Sequence, residues 1–135
     1  MSLHHVEIWV ADLESARTEW GWLLERLGYE LVGEWAEGFS WGSVDGTYLT
    51  LTTSPNTVGT EHDRRRPGLN HLAFRGGARD NVDRIMVEAQ ENGWRPLYHD
   101  RYPHAGGEAH YAGWLENSAG FKTEIVASKS QTTLQ

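Results

Sequence analysis

The stretch LHHVEIWVADLESA, Leu3 to Ala16, decides the reading of the fold. From His4 to Val10 the residues alternate strictly, with His4, Val6, Ile8 and Val10 on one face and His5, Glu7 and Trp9 on the other. That period is the mark of a strand with an apolar back and a chemically equipped front. Asp12 then offers an N-cap, and Leu13, Ala16, Trp20, Leu23, Leu24 and Leu27 recur at helical spacing until Gly28 supplies a stop. Short β-rich pieces follow at Tyr29 to Trp35, Phe39 to Val44 and Tyr48 to Thr53, with Asp45-Gly46 as a turn signal. Residues 1–53 therefore read as a βαβββ module.

Beyond a polar linker, 54–68, the same order begins again at an offset of about 65 residues. Leu69 to Phe74 reads as a strand, Gly76-Gly77 as a break, and Asp80 as the cap of a second helix carrying Val82, Ile85, Met86 and Ala89 before Gly93 closes it. Segments near Arg95 to His99, His110 to Glu116 and Phe121 to Ala127 complete a second βαβββ module over 69–127, followed by a polar tail, 128–135. The expected fold class is α+β, two such modules within one domain spanning 1–135, a length at which a single shared core is the usual outcome.

Composition narrows the function. The 135 residues carry a formal net charge of −7, which disfavours a general nucleic-acid binder because phosphate binding rests on clustered positive charge. Arg64, Arg65 and Arg66 form the one basic run, which as a charge run reads first as a solvated surface. No apolar stretch has the length of a membrane span, and a strand pattern stands where a signal peptide would, so the expectation is a cytoplasmic protein without a membrane partner. The chain has no cysteine, so a bound metal would be held by His, Asp or Glu. Seven tryptophans serve either a core or a small-molecule pocket.

A duplicated βαβββ with a histidine in the first strand of each half resembles the vicinal oxygen chelate superfamily, which holds glyoxalase I, bleomycin-resistance proteins and extradiol dioxygenases. LHHVEIWVADLESA and GLNHLAFRGG look like the two family openings, and AGWLENSAGFKTEIV looks like the closing hairpin and last strand. The resemblance implies strands curved into a cup around one divalent metal, with ligands at His5, His71 and Glu124. A fourth carboxylate often stands on the last strand of the first half in such proteins; Thr50 stands there in this chain. The family's dioxygenases and thiol transferases often place a tyrosine ten residues before the glutamate, where this chain has Trp114.

Two imidazoles and one carboxylate suit Fe, Mn, Zn, Ni or Co as divalent ions and leave positions open for water and substrate. Glu7 shares the front face with His5 and is a candidate general base or substrate contact; its plain alternative is a rim charge. Trp9 and Tyr48 are expected to face forward as well. The segment His104 to Tyr111 places a glycine pair among titratable groups, so it could close over a substrate with His110 or Tyr111 donating a proton, or be a surface turn. The leading expectation is a mononuclear metalloenzyme of the glyoxalase or dioxygenase type, a lyase, oxidoreductase or transferase acting on a small oxygenated molecule. The alternative is a metal-free, bleomycin-resistance-like protein that binds a small molecule. Short members of the superfamily commonly pair as homodimers that share sites, which makes a homodimer the expected assembly.

Overall fold

A computed structural model describes residues 1–129. The elements run β1 (His5–Trp9), α1 (Leu13–Arg26), β2 (Glu30–Trp35), β3 (Gly38–Gly42), β4 (Tyr48–Thr52), β5 (Leu72–Gly77), α2 (Arg79–Glu88), β6 (Trp94–Leu97), β7 (Ala112–Asn117) and β8 (Lys122–Ala127), with 3₁₀ turns at Ala89–Asn92 and His99–Arg101. The order is βαβββ twice, as the sequence predicts, and the chain divides into two units, Met1–His62 and Asp63 onward. Of the expected polar tail, residues 130–135 lie outside the described residues.

In the first unit the sheet order is β1-β4-β3-β2, with β1 and β4 parallel and the other pairs antiparallel. Helix α1 starts where Asp12 Oδ1 accepts the Ser15 amide at 3.1 Å, and Glu14 and Arg26 complement the dipole at its two ends. It ends in a left-handed Gly28, φ 87°, with the Gly28 amide on the Glu25 carbonyl and the Tyr29 amide on the Leu24 carbonyl. Its apolar stripe of Ala16, Trp20, Leu23 and Leu24 is buried with Phe39, Trp41, Leu49 and Leu51 of β3 and β4.

The second unit repeats the topology as β5-β8-β7-β6, again with its first and last strands parallel. Here the structure departs from the sequence in detail. Asp80 is not the cap of α2: Ala78 occupies that position without a side-chain hydrogen bond, and Asp80 sits inside the first turn, where a carboxylate still favours the helix dipole. Gly76-Gly77 is the end of β5 and not a break after it. Leu69 and Asn70 precede the strand, and His71 lies one residue before its first ladder residue. Helix α2 buries Val82, Ile85 and Met86 against β5, β7 and β8.

That packing requires a glycine at position 76. A Cβ there would lie 2.5 Å from Ile125 Cγ2 and 2.9 Å from Val82 Cγ2, both on fully buried branched side chains. Gly76→Ala is therefore expected to lower stability by about 1–3 kcal/mol, the usual cost of overpacking. Urea denaturation of the variant beside the wild type checks this; an unchanged midpoint would contradict the packing.

Candidate functional site

Strand registers fix which side chains share a face. In the first unit β1 pairs with β4 so that His5 opposes Tyr48, Glu7 opposes Thr50 and Trp9 opposes Thr52. The exposed front of β1 thus carries His5, Glu7 and Trp9, while Val6 and Ile8 turn toward the core side. The His5 ring stacks on Tyr48 at 4.7 Å and 3°, and its Nδ1 lies 2.8 Å from His4 Nδ1. Trp9 Nε1 donates to Glu7 Oε2 at 2.8 Å, so this carboxylate has a neutral donor and keeps its other oxygen free of that bond. Thr50 is 6% exposed and shares a 2.7 Å hydroxyl hydrogen bond with Ser40.

In the second unit β5 pairs with β8 so that Ala73 opposes Glu124. The two registers are equivalent, which places Thr50 of the first module where Glu124 stands in the second, and Glu7 where Ala73 stands. Each module therefore carries a front-face carboxylate at only one of these two positions: the first strand in one, the last strand in the other.

Glu124 is 6% exposed and is met by two histidines. His71 Nε2 lies 3.2 Å from its Oε1, and His110 Nε2 forms a short hydrogen bond with its Oε2. His71 is oriented from behind by Asn70, whose Oδ1 lies 2.7 Å from His71 Nδ1. His110 is pressed from the loop side: a Cβ at Gly106 would lie 2.8 Å from His110 Cδ2, and His104 Nδ1 lies 3.3 Å from the His110 carbonyl oxygen. The glycine-bearing loop thus packs directly on this imidazole.

Three of the expected site residues, His71, His110 and Glu124, come together in the second unit. His5 and Glu7 belong to the first unit. Among the described residues, no group of three or more His, Asp or Glu side chains is arranged to hold a metal ion. Tyr111 goes elsewhere: its hydroxyl donates to Asp83 Oδ1 of α2 at 2.6 Å, beside a second donation to the same oxygen from Tyr102 at 2.5 Å. The Asp83 hydrogen bond and burial push the Tyr111 phenol up, and burial together with the same carboxylate pushes Tyr102 up.

A second group lies on this face, and of its members only Trp114 and Arg64 stood out in the sequence. Trp114 opposes Glu124 across the β7–β8 ladder and packs edge-on to His71 at 5.2 Å and to Tyr98 at 5.8 Å. Lys122, two residues from Glu124 along β8, donates to the Tyr98 hydroxyl oxygen at 2.9 Å. Its cross-strand neighbour Glu116 is clasped by Arg64 at 2.9 Å and Arg95 at 2.5 Å. Burial raises the Glu116 carboxyl, but the hydrogen bonds from both arginines outweigh it and hold the group below the usual carboxylate range. Arg64 of the basic run is thus a structural partner, whereas Arg65 and Arg66 are exposed and near Asp63.

The model of the glyoxalase/bleomycin resistance protein/dioxygenase superfamily matches residues 4–113. The chain belongs to this superfamily. The match stops short of Glu124, but full-length relatives cover it: YqjT of Bacillus subtilis (strain 168), an uncharacterized protein, is 41% identical over 93% of this chain and 98% of its own length. A Bacillus halodurans protein, provisionally assigned to the glyoxalases with its crystal structure, is 43% identical, with a TM-score of 0.87 over 93% of this chain and 95% of that one. A glyoxalase/bleomycin resistance protein from Albidiferax ferrireducens T118 shares the fold at 21% identity, with a TM-score of 0.74 over 93% and 98% of the two chains. The superfamily's α+β architecture is what the two modules display. Among the described residues, no helix is long and apolar enough to cross a membrane.

Proposed function

We propose that this superfamily member is a metal-dependent enzyme acting on a small oxygenated substrate, with Glu124 and His71 as two of the ion's donors and His5 as the third. The observation that supports it is the buried Glu124 carboxylate addressed by an imidazole nitrogen at each oxygen. Two atoms bound to one ion at about 2.0–2.2 Å lie roughly 3 Å apart, close to the 3.2 Å between His71 Nε2 and Glu124 Oε1. The pair therefore fits two of the three donors of a two-histidine, one-carboxylate set, and His5 is assigned from the resemblance.

When bound, a divalent ion would supply Lewis acidity toward a carbonyl or a pair of vicinal oxygens. The chain's own residues supply the rest. Asn70 fixes the His71 ring, as an outer hydrogen bond commonly does for a ligating imidazole. His110, held on Glu124 and under Gly106, can orient that carboxylate and move a proton at Nε2. Glu7, on the front of β1, is the candidate base toward substrate.

Elemental analysis of protein purified without chelator and incubated with Fe(II), Mn(II), Zn(II), Ni(II) or Co(II) tests this. One ion per chain is expected in the wild type, with loss in His71→Ala. A wild type that retains none of the five after desalting would overturn it. Thr50→Glu, which puts a carboxylate at the register position of Glu124 in the other module, is expected to tighten Zn(II) or Ni(II) binding or reverse their preference. Parallel titrations giving identical curves would contradict that placement.

A second reading draws on the same contacts. Both oxygens of Glu124 already meet a histidine, so the cluster is satisfied as a hydrogen-bonded clasp without an ion. That arrangement supports a metal-free small-molecule-binding protein, the reading that would stand if no ion is retained.

A further inference from the structure

Lys122 is 8% exposed, and among the described residues no carboxylate forms an ion pair with it. The two acidic side chains on its own face are otherwise engaged: Glu116 by Arg64 and Arg95, Glu124 by His71 and His110. A buried ammonium without an anion is costly. What meets it instead is aromatic: its Nζ lies 2.9 Å from the Tyr98 hydroxyl oxygen, 5.0 Å from the Tyr98 ring centre and 4.9 Å from that of Trp114. Two further cations face the same phenol, Arg101 with its Cζ 5.2 Å from the ring centre and Arg64 from the segment before β5.

The backbone is strained to put Tyr98 there. Its φ of 57° lies in the left-handed region, and no other non-glycine residue among those described has a positive φ. Such strain persists where surrounding structure enforces it and is common at functional positions. Tyr98 remains half-buried, not sealed in the core.

We infer that Tyr98 is an acid–base residue for a substrate that carries or forms an oxyanion, with Lys122 as its positioning residue. Because the ammonium donates to the phenol oxygen, the Tyr98 O–H is directed to another acceptor. In the step proposed, that O–H bond breaks, a new O–H bond forms on the substrate oxygen, and the electron pair stays on Tyr98 as a phenolate beside Lys122, Arg64 and Arg101. The reverse step deprotonates a substrate hydroxyl. Neither direction needs an oxidant, a reductant or the ion assigned to Glu124. The Lys122 hydrogen bond, with the charges of Lys122, Arg64 and Arg101, outweighs burial and holds the phenol below the ordinary tyrosine range of about 10.

Both tests use the full chain in the presence of chelator, so they are independent of metal binding. The near-ultraviolet absorbance of tyrosinate, followed against pH, is expected to show one phenol ionising below the ordinary range in the wild type. Tyr98→Phe should lose that one equivalent, Lys122→Met should move it upward, and Lys122→Arg should retain it. Superimposable wild-type and Tyr98→Phe curves in that range would overturn the activated phenol. As a binding probe, 4-nitrophenol is expected to bind Tyr98→Phe about tenfold more weakly than wild type, the usual scale for losing a hydrogen bond to a charged group. Equal affinity, or binding by neither protein, would overturn the assigned substrate class.

Discussion

Glu124→Gln is expected to lower divalent-metal affinity by far more than His110→Ala. The glutamine keeps the size of the side chain but removes the anionic oxygens at a position that is almost fully buried. In the proposed site His110 supports the carboxylate from outside the donor set, and loss of such an outer partner costs roughly 10–100-fold in affinity. The Glu124→Gln loss should exceed that range. Competition titration with a chromophoric chelator measures both. Equal affinities for wild type and Glu124→Gln would remove this carboxylate from the donors. A larger loss from His110→Ala than from Glu124→Gln would instead make His110 the donor and Glu124 its support.

The second large effect concerns assembly. The proposed donors divide between the two units, with His5 in the first and His71 and Glu124 in the second. A homodimer that shares its sites would draw the first from one chain and the other two from its partner. His5→Ala and Glu124→Ala proteins, each expected to bind no metal alone, should then regain one site per mixed dimer after dissociation and reassociation, because that site takes its donors from the two unmutated halves. Bound metal counted after mixing checks this. No recovery, with mixed dimers demonstrated by a size tag on one partner, would mean that each chain builds its own site.

Much of this arrangement was legible in the sequence because local rules agreed with the fold. Asp12 capping, an apolar stripe and a left-handed Gly28 bound α1 as their pattern predicts. The second helix was less legible. Ala78 offers no side-chain acceptor, while Asp80 two residues later looks like a cap but serves as a first-turn carboxylate, so the pattern shifts the start inward. His71 and His110 were visible as candidates, yet their meeting at Glu124 depends on the β5–β8 register and on the loop folding over Gly106. Tyr98 and Lys122 carried no local signal. They sit on opposite sides of a hairpin in sequence, and only the β6-β7-β8 ladder with a left-handed residue at 98 brings ammonium and phenol together. Tyr111 has the reverse history: a titratable group beside a glycine loop that the fold turns toward Asp83 on α2.

The most direct measurement of metal donation is X-ray absorption at the K-edge of the bound ion, recorded on wild type and His71→Ala at equal loading. Donation by His5, His71 and Glu124 predicts nitrogen and oxygen scatterers at about 2.0–2.2 Å with the multiple-scattering signature of imidazole, and one imidazole fewer in the variant. An all-oxygen shell in the wild type, or an imidazole signature unchanged by His71→Ala, would contradict it.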